Sequence, residues 1–600
     1  MKINNLALKS NLRFGVVLSG LAEQVRPLGT NNTARLLTAG LLVLFLLFLP
    51  SALFPLPPQK TIYPGEWPYD ALTALALEQR IVLFADSTIS VAQAEAMLAE
   101  IDEEALSPRG KELYQSLFAW LRARPFISFG SGALGFEAQP SVNPEFYFRS
   151  NKGIDYLYGN NKRRPFVELP ITLSFSPWIT AGIDVVAEQK LEAVFFEDNY
   201  LNFPAGDTFE FNIPRRAYLN LGVPFPISLP GEPPGSSGIR FAIGVGENFL
   251  GRTKTGSIIL SDQMKYTSYG ILTLYSPKIK YSANIMQLDV NKYFYFHQGE
   301  ARLFKIVSLS LVEGLMVNAP LELRFLNPLA IYHSFAAYSE YGDYQDDLPP
   351  GEDFDSGDSR IASFFGMKLE VRPVKNLRFY ALWALNELQT AGEKRDNPDA
   401  LKPDSMALQG GFEVIFPAGA AYWSFGLEGV YTFPYVYVLR GKTWSFYKPG
   451  TSQAGENVRF WTGTPFGPDT AAGALWAGYH ASAWSLSGTL VFAAQGERSG
   501  LDIFDGNDYH PWRTWKRLSK AGDPEALDAA LEETALVSPS GLPSLVWQFG
   551  FSLKWSPRKW LSLSLEPAYT VVNNYGHVKG NTEQGFETAL SIRYTPWPFR

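Results

Sequence analysis

The sequence predicts an all-β transmembrane barrel of about 18 antiparallel strands, preceded by a small α-helical domain. Three observations predict it. From Pro125 onward, apolar residues recur at every second position. The alternating runs come in pairs joined by short Pro-containing turns, with longer segments between pairs. Aromatic residues reach 14% of the 600-residue chain, with Trp and Tyr gathered at the ends of the runs.

The composition agrees. Hydrophobic residues make up 46%, yet mean hydropathy is only −0.07, so apolar and polar residues are evenly mixed. A disordered chain would be poor in aromatics. There is no Cys, which removes disulfides, thiol nucleophiles and Cys-based metal sites from consideration. Net charge is −7, and it becomes −11 without residues 1–52. Nucleic-acid binding needs basic surface, so no nucleic-acid partner is expected.

The first element is a signal segment at 1–52. Residues 36–49 form a 14-residue uncharged run, preceded by Arg35 and followed by Pro50, Ser51 and Ala52. A basic flank, a short apolar core and small residues are the parts of a cleavable export signal. A membrane-spanning helix needs about 20 residues. Cleavage near Ala52 is expected, with a retained anchor as the alternative.

The second element, 53–124, reads as a helical domain on the periplasmic side. Three helices are expected: 69–79, with Leu72, Leu75 and Ala76 on one face; one opened by Ser90 with Gln93 as a capping box; and one capped by Ser107 with Pro108 at its first position. Some 55 residues bury little core alone, so they are expected to pack on the periplasmic rim of the barrel.

The third element, 125–600, is the barrel. Phe549, Phe551, Leu553 and Trp555 alternate with Gln548, Gly550, Ser552 and Lys554. The same pattern recurs at 365–372, 377–385, 561–566 and 586–594. Short turns carry Pro177, Pro277, Pro373, Pro417 and Pro557, because Pro cannot donate to a sheet ladder. Longer segments fall at 190–207, 289–300, 333–357, 390–404, 436–470 and 496–544. Nineteen runs can be counted. A single-chain barrel with both ends periplasmic needs an even number, so 18 strands are expected, with 16 as the alternative. A soluble sandwich would also alternate, but its strands average about 5–6 residues. Trp178, Trp555, Trp560, Tyr594 and Trp597 mark an interfacial girdle. The face opposite the apolar one carries both signs of charge: Lys280, Glu322, Arg324, Lys368, Glu370, Arg378, Glu428 and Glu587 among others. Such a lumen can be an open pore or one obstructed by ion pairs.

Residues 301–331 read ARLFKIVSLSLVEGLMVNAPLELRFLNPLAI. The strand reaching Glu313 and the close on Phe325-Leu326-Asn327-Pro328 resemble Wzi-type capsule-assembly proteins. So do Gly244-Val245-Gly246-Glu247 and the stretch 256–261. The order of signal, helical domain and large barrel is similar too. That resemblance implies an 18-stranded outer-membrane barrel with a periplasmic helical bundle. It implies capsular-polysaccharide binding at the cell surface and no catalysis. Asp346-Asp347 and Gly357-Asp358 stand where the family has an acidic pair and a Gly-x-Asp element, with departures in order and spacing.

Candidate ligand residues sit in two long segments. One holds Trp444, Phe446, Tyr447, Arg459 and Trp461; the other holds Tyr509, Trp512, Arg513 and Trp515. Aromatic faces stack on sugar rings and Arg pairs with acidic sugars. The same rings also suit a girdle or loop core. Asp353, Asp355 and Asp358 are the candidate oxygen ligands for a loop-bound Ca2+, the one cofactor the sequence leaves open. A solvated loop is the favoured reading of them. The five His residues show no metal spacing. His333-Ser334 invites a hydrolase reading, but neighbours in a strand point to opposite faces. A helix is expected at 523–537, as a lid or a plug.

Three functions fit: a barrel that binds or anchors surface polysaccharide through its loops, a porin or solute channel, and a structural protein or adhesin. No enzyme is expected. Expected partners are outer-membrane lipid, lipopolysaccharide, surface polysaccharide and the barrel-insertion machinery, with the chain as a monomer.

Overall fold

The computed structural model describes residues 57–596, leaving aside 124–126, 130–133, 155–162, 190–198, 203–208, 213–214, 226–235, 263, 265–266, 336–360, 397–402, 439–444, 452–456, 500–524, 526–527, 529–530 and 533–534. The expected signal segment and Trp597 lie outside the described residues.

Eighteen antiparallel strands close into one barrel. The first is interrupted, running through Leu134–Ala138, Ser141–Val142 and Glu145–Arg149. On one side it pairs with Val167–Ser176, through Gly135↔Ser174 and Val142↔Val167. On the other it pairs with the last strand, Thr582–Tyr594, through Tyr594↔Val142 and Glu587↔Arg149. Joining the last strand to the first removes both sheet edges, which is how a β-structure satisfies its backbone in lipid.

Alternation sets the two faces of the wall. Phe549, Phe551, Leu553 and Trp555 are 44%, 60%, 42% and 50% exposed, whereas Gln548 between them is 8% exposed. Apolar side chains therefore face outward, the reverse of a soluble sandwich. Trp423, Trp484, Trp555, Trp560 and Tyr594 are exposed near the short turns, where a girdle belongs. No described helix is long and apolar enough to cross a membrane.

One end of the barrel carries short turns, such as those at 276–278, 419–420 and 559–560. The other carries longer connections at 247–266, 388–404 and 433–469. The segment 289–300, expected to be a long loop, is not one. Lys292–Leu303 is a wall strand, joined to Ile279–Asp289 by a two-residue turn in which Asn291 has φ +55°. The stretch Tyr293-Phe294-Tyr295-Phe296 hides its alternation because both of its faces are covered, as described below.

The helical segment forms α1 (Trp67–Glu78), α2 (Val91–Leu98) and α3 (Pro108–Leu121). Ser90 and Gln93 form the expected capping box. Ser107 accepts a hydrogen bond from Gly110 N–H with Pro108 at the first position. The apolar stripes meet in a core of Leu72, Leu75, Ala94, Leu98, Leu117 and Leu121. This segment meets the short-turn end of the wall, through Val82 to Lys305, Leu77 to Asn376, Arg80 to Arg372 and Arg109 to Ser482. It also enters the barrel and bonds to inward-facing residues of many wall strands, because its own small core leaves polar groups that the wall satisfies.

Candidate functional site

The lumen is occupied in tiers along its axis, starting with the helical segment. Lys60 Nζ pairs with Glu137 at 2.8 Å, and Asn220 Nδ2 donates to Gln59 O at 2.7 Å. Arg240 reaches Thr61 Oγ1 at 3.0 Å, and Lys280 Nζ reaches Ser87 Oγ at 2.9 Å. Arg302 donates to Val82 O at 3.0 Å and pairs with Glu100 at 2.7 Å. Lys368 pairs with Asp86. Asn376 N–H donates to Leu77 O at 2.9 Å, and Arg109 to Ser482 Oγ at 3.1 Å. These wall residues come from strands and turns spread over most of the circumference, so the segment is anchored on several sides.

The second tier is the inward-folded connection 247–266. Gly251 N–H donates to Asp86 O at 3.2 Å, joining this loop to the helical segment. Phe249 completes the helical core. Arg252 pairs with Glu413 at 2.7 Å. Glu428 accepts from the backbone N–H of Lys254 at 2.8 Å and of Thr255 at 2.9 Å, and from the Tyr380 hydroxyl. Beside them, Glu370 is held by Arg372 at 2.9 Å and Arg378 at 3.1 Å. Buried charges persist only when paired in this way, since an unpaired ion away from water costs several kcal/mol. The mixed lumen charges read from the sequence are thus largely consumed in holding the interior together.

The third tier is the connection 433–469, which contains the hairpin Tyr447–Thr451 and Asn457–Trp461. Tyr437 Oη donates to Ile258 O at 2.7 Å, and Ser261 N–H to Thr462 O at 2.7 Å. Ile258, Ile259 and Leu260 join Phe294, Phe296, Phe364, Phe446 and Trp461 in one apolar core inside the barrel.

This places several candidate sugar-binding residues. Phe446 is 2% exposed and Trp461 9%. Phe446 stacks edge-on against Phe294 at 5.6 Å, and Lys292 Nζ sits 3.9 Å over the Tyr447 ring. Their ring faces are occupied by the chain itself. Arg459 lies on the hairpin strand. Trp444, Tyr509, Trp512, Arg513 and Trp515 lie outside the described residues, as do Asp346, Asp347, Asp353, Asp355 and Asp358. Of the expected helix at 523–537, the described residues Glu525, Asp528, Leu531 and Glu532 are helical, while 535–537 are not.

Glu313, Asn327 and Pro328 do come together, on the outside of the wall. In Val307–Asn318 the inward residues are Ser308, Ser310 and Val312, while Leu309 and Leu311 are exposed outward at 37% and 45%. Glu313 shares the outward face. The segment 319–335 leaves the sheet and folds back over that face as a strap. Phe325 and Tyr332 pack on outward-facing Tyr295, Leu315, Val317 and Ile361. Tyr281 Oη donates to Pro328 O, Asn327 Oδ1 accepts from Leu329 N–H at 3.1 Å, and Glu313 accepts from His333 N–H at 2.8 Å. Glu322 and Arg324, expected in the lumen, pair with each other on this strap, because the chain has already left the sheet. His333 lies in the helical turn Tyr332–Phe335 rather than in a strand. Between strap and wall runs a groove of about 730 Å3, lined by Tyr281, His297, Gly299, Leu311, Glu313 and Phe365, with Leu329, Ile331 and His333 from the strap. Sequence periodicity could not have revealed it, since periodicity does not tell which outward positions the chain covers with its own loop.

No family model and no curated protein sequence matches this chain. Solved structures do. One is Wzi of Escherichia coli, an outer-membrane protein involved in group 1 capsule assembly and a carbohydrate-binding β-barrel. It is 12% identical at a TM-score of 0.52, covering 90% of this chain and 99% of that one. OccK2 (OpdF) of Pseudomonas aeruginosa is 10% identical at a TM-score of 0.36, covering 77% and 98%. The outer-membrane channel DcaP of Acinetobacter baumannii is 10% identical at 0.30, covering 78% and 100%. The fold of this chain is that of outer-membrane β-barrels.

Proposed function

We propose that this chain is a sealed outer-membrane barrel that holds a surface polysaccharide at its long-loop end. The observation that carries the reading is the filling of the lumen by three bonded tiers, with Gly251 linked to Asp86 and Ser261 to Thr462. A barrel filled in this way acts through its surfaces. The outward apolar face supports residence in the membrane, in contact with lipopolysaccharide. The short-turn end, with the helical segment, then faces the periplasm. The likeness to the carbohydrate-binding Wzi barrel supports a glycan ligand. Tyr509, Trp512 and Trp515, with Arg513, supply stacking and acidic-sugar recognition in this reading. Catalysis has no part in it, and the barrel works as a monomer.

The test is single-channel conductance of the full chain in a planar bilayer, paired with retention of purified capsular polysaccharide on the same protein. The expected result is electrical silence together with glycan retention that Trp512→Ala and Trp515→Ala abolish. Large, steady, salt-proportional steps from the intact protein would instead make it a channel.

A further inference from the structure

The strap and the wall strands behind it enclose a groove that opens on the outward face, where the surroundings of a membrane barrel are acyl chains. The strap itself is built for those surroundings. Leu321, Leu323, Leu326, Leu329 and Ile331 are exposed at 52%, 82%, 42%, 85% and 66%. Five large apolar side chains on one short irregular segment would be a liability in water. Irregular backbone at membrane depth persists only where the protein itself covers it and satisfies its polar groups. Here Phe325 N–H donates to Glu322 O and Ala330 N–H to Asn327 O. The Tyr332 hydroxyl donates to Phe325 O.

Inside the groove the lining is mostly apolar, and its polar side chains are Tyr281, His297, Glu313, His333, Ser363, Asn386 and Glu387. His297 and Glu313 are register partners on adjacent strands, and both face outward. His297 is 8% exposed, lines the groove, and its Nε2 has no hydrogen-bond partner among the described residues. Its ring is fixed by Tyr332 at 4.2 Å and Tyr281 at 5.8 Å between centroids. A buried polar atom without a partner is costly unless a ligand supplies one. The volume falls within the range of about 300–1,000 Å3 typical of small-ligand sites.

We infer that this groove binds the acyl chain of a membrane lipid that carries a hydroxyl along the chain, the hydroxyl meeting His297 and Glu313. The chemistry favours a hydroxyl over a plain chain or an ester. A hydroxyl donates to the Glu313 carboxylate and also exchanges a hydrogen bond with His297 Nε2, whereas an ester oxygen only accepts. The methylenes on either side lie against Leu311, Phe365, Leu329 and Ile331. The inference rests on the proposed membrane location and is independent of the glycan reading.

Two substitutions separate the site from the fold. A Cβ added at Gly299 would meet nothing within 4 Å, and Gly299 lines the groove, so Gly299→Phe is the substitution that occupies it. His297→Phe keeps the ring packing and removes the polar atom. The full chain is placed in phosphatidylcholine nanodiscs with a photoreactive 3-hydroxyacyl lipid or its counterpart lacking the hydroxyl. Crosslinked peptides are then mapped. The hydroxyacyl probe should label strap residues 323–333 about tenfold more than the plain probe, the value of one hydrogen bond to a charged group. Gly299→Phe should abolish strap labelling and His297→Phe should erase the preference. Labelling around Phe549 and Phe551, on the opposite wall, should be equal in every case. Equal strap labelling by both probes, or labelling indifferent to Gly299→Phe, overturns the groove. Absence of labelling at Phe549 and Phe551 as well overturns the membrane location itself.

Discussion

Arg302, on the inward face of its wall strand, pairs with Glu100 of the helical segment at 2.7 Å, with side chains only 4% and 12% exposed. The same guanidinium donates to Val82 O at 3.0 Å. One residue therefore ties two points of the helical segment to the barrel. Removing one partner of a buried pair leaves the other charge stranded, at about 3–5 kcal/mol. Arg302→Ala should loosen the segment on this side of the lumen, while its other anchors and the wall, held by its own ladder, stay in place. Hydrogen exchange of residues 81–100 should accelerate strongly, with heat-modifiable gel mobility retained. Unchanged exchange would show that the segment is held elsewhere.

The docking should also weaken in acid through Glu112 of α3. Burial alone would raise its carboxyl, but hydrogen bonds from Arg109 and Ser482, with the Arg109 charge, outweigh that and hold it below the usual 4.5. The distances are 2.6 Å to Arg109 and 2.9 Å to Ser482, in the turn between two wall strands. A carboxyl lowered in the folded state stabilises above its unfolded value, and the contribution disappears as pH falls through the folded value. The pair is partly solvated, so the effect is small. Exchange of residues 108–121 should rise when pH drops below 4.5, and Glu112→Gln should remove that dependence.

The wall was legible because period-2 alternation is imposed by two different solvents. Phe551 faces outward and Gln548 faces the lumen, and the residues say so. The helix starts were legible because Ser90 and Ser107 must satisfy free backbone N–H groups. What failed is instructive. Lys292–Leu303 reads as a loop because Phe294 and Phe296 face a lumen core while Tyr295 lies beneath the strap. Apolar residues on both faces erase the period. Glu313 attracted notice by resemblance, yet its outward position depends on a strap that pattern alone does not place.

Phe446 supplies a third test, since its burial contradicts an open sugar platform there. Its ring lies 5.6 Å from Phe294 and 5.5 Å from Phe364. Phe446→Ala should cost about 3–5 kcal/mol of stability, as for other buried aromatic truncations. Thermal unfolding of the hairpin, followed by protease cleavage within 445–461, should move to lower temperature. Glycan retention at permissive temperature should be unchanged, because the ring faces the lumen core.

The outward face offers the last test. Phe551 is 60% exposed and pairs across the ladder with Gly488, so nothing in the protein packs tightly on it. In a water-soluble protein Phe551→Arg would be neutral or would improve solubility. In a bilayer an outward Arg costs up to about 2–4 kcal/mol near the midplane and little at the interface. The variant should therefore fold normally in detergent, where the cation reaches water. Its folding into phosphatidylcholine vesicles should shift to lower urea, with Phe551→Leu as the control that leaves the transition in place. Equal transitions for the Arg and Leu variants in vesicles would place this part of the wall outside the hydrocarbon. The strap and its groove would then lose the surroundings on which the lipid reading depends.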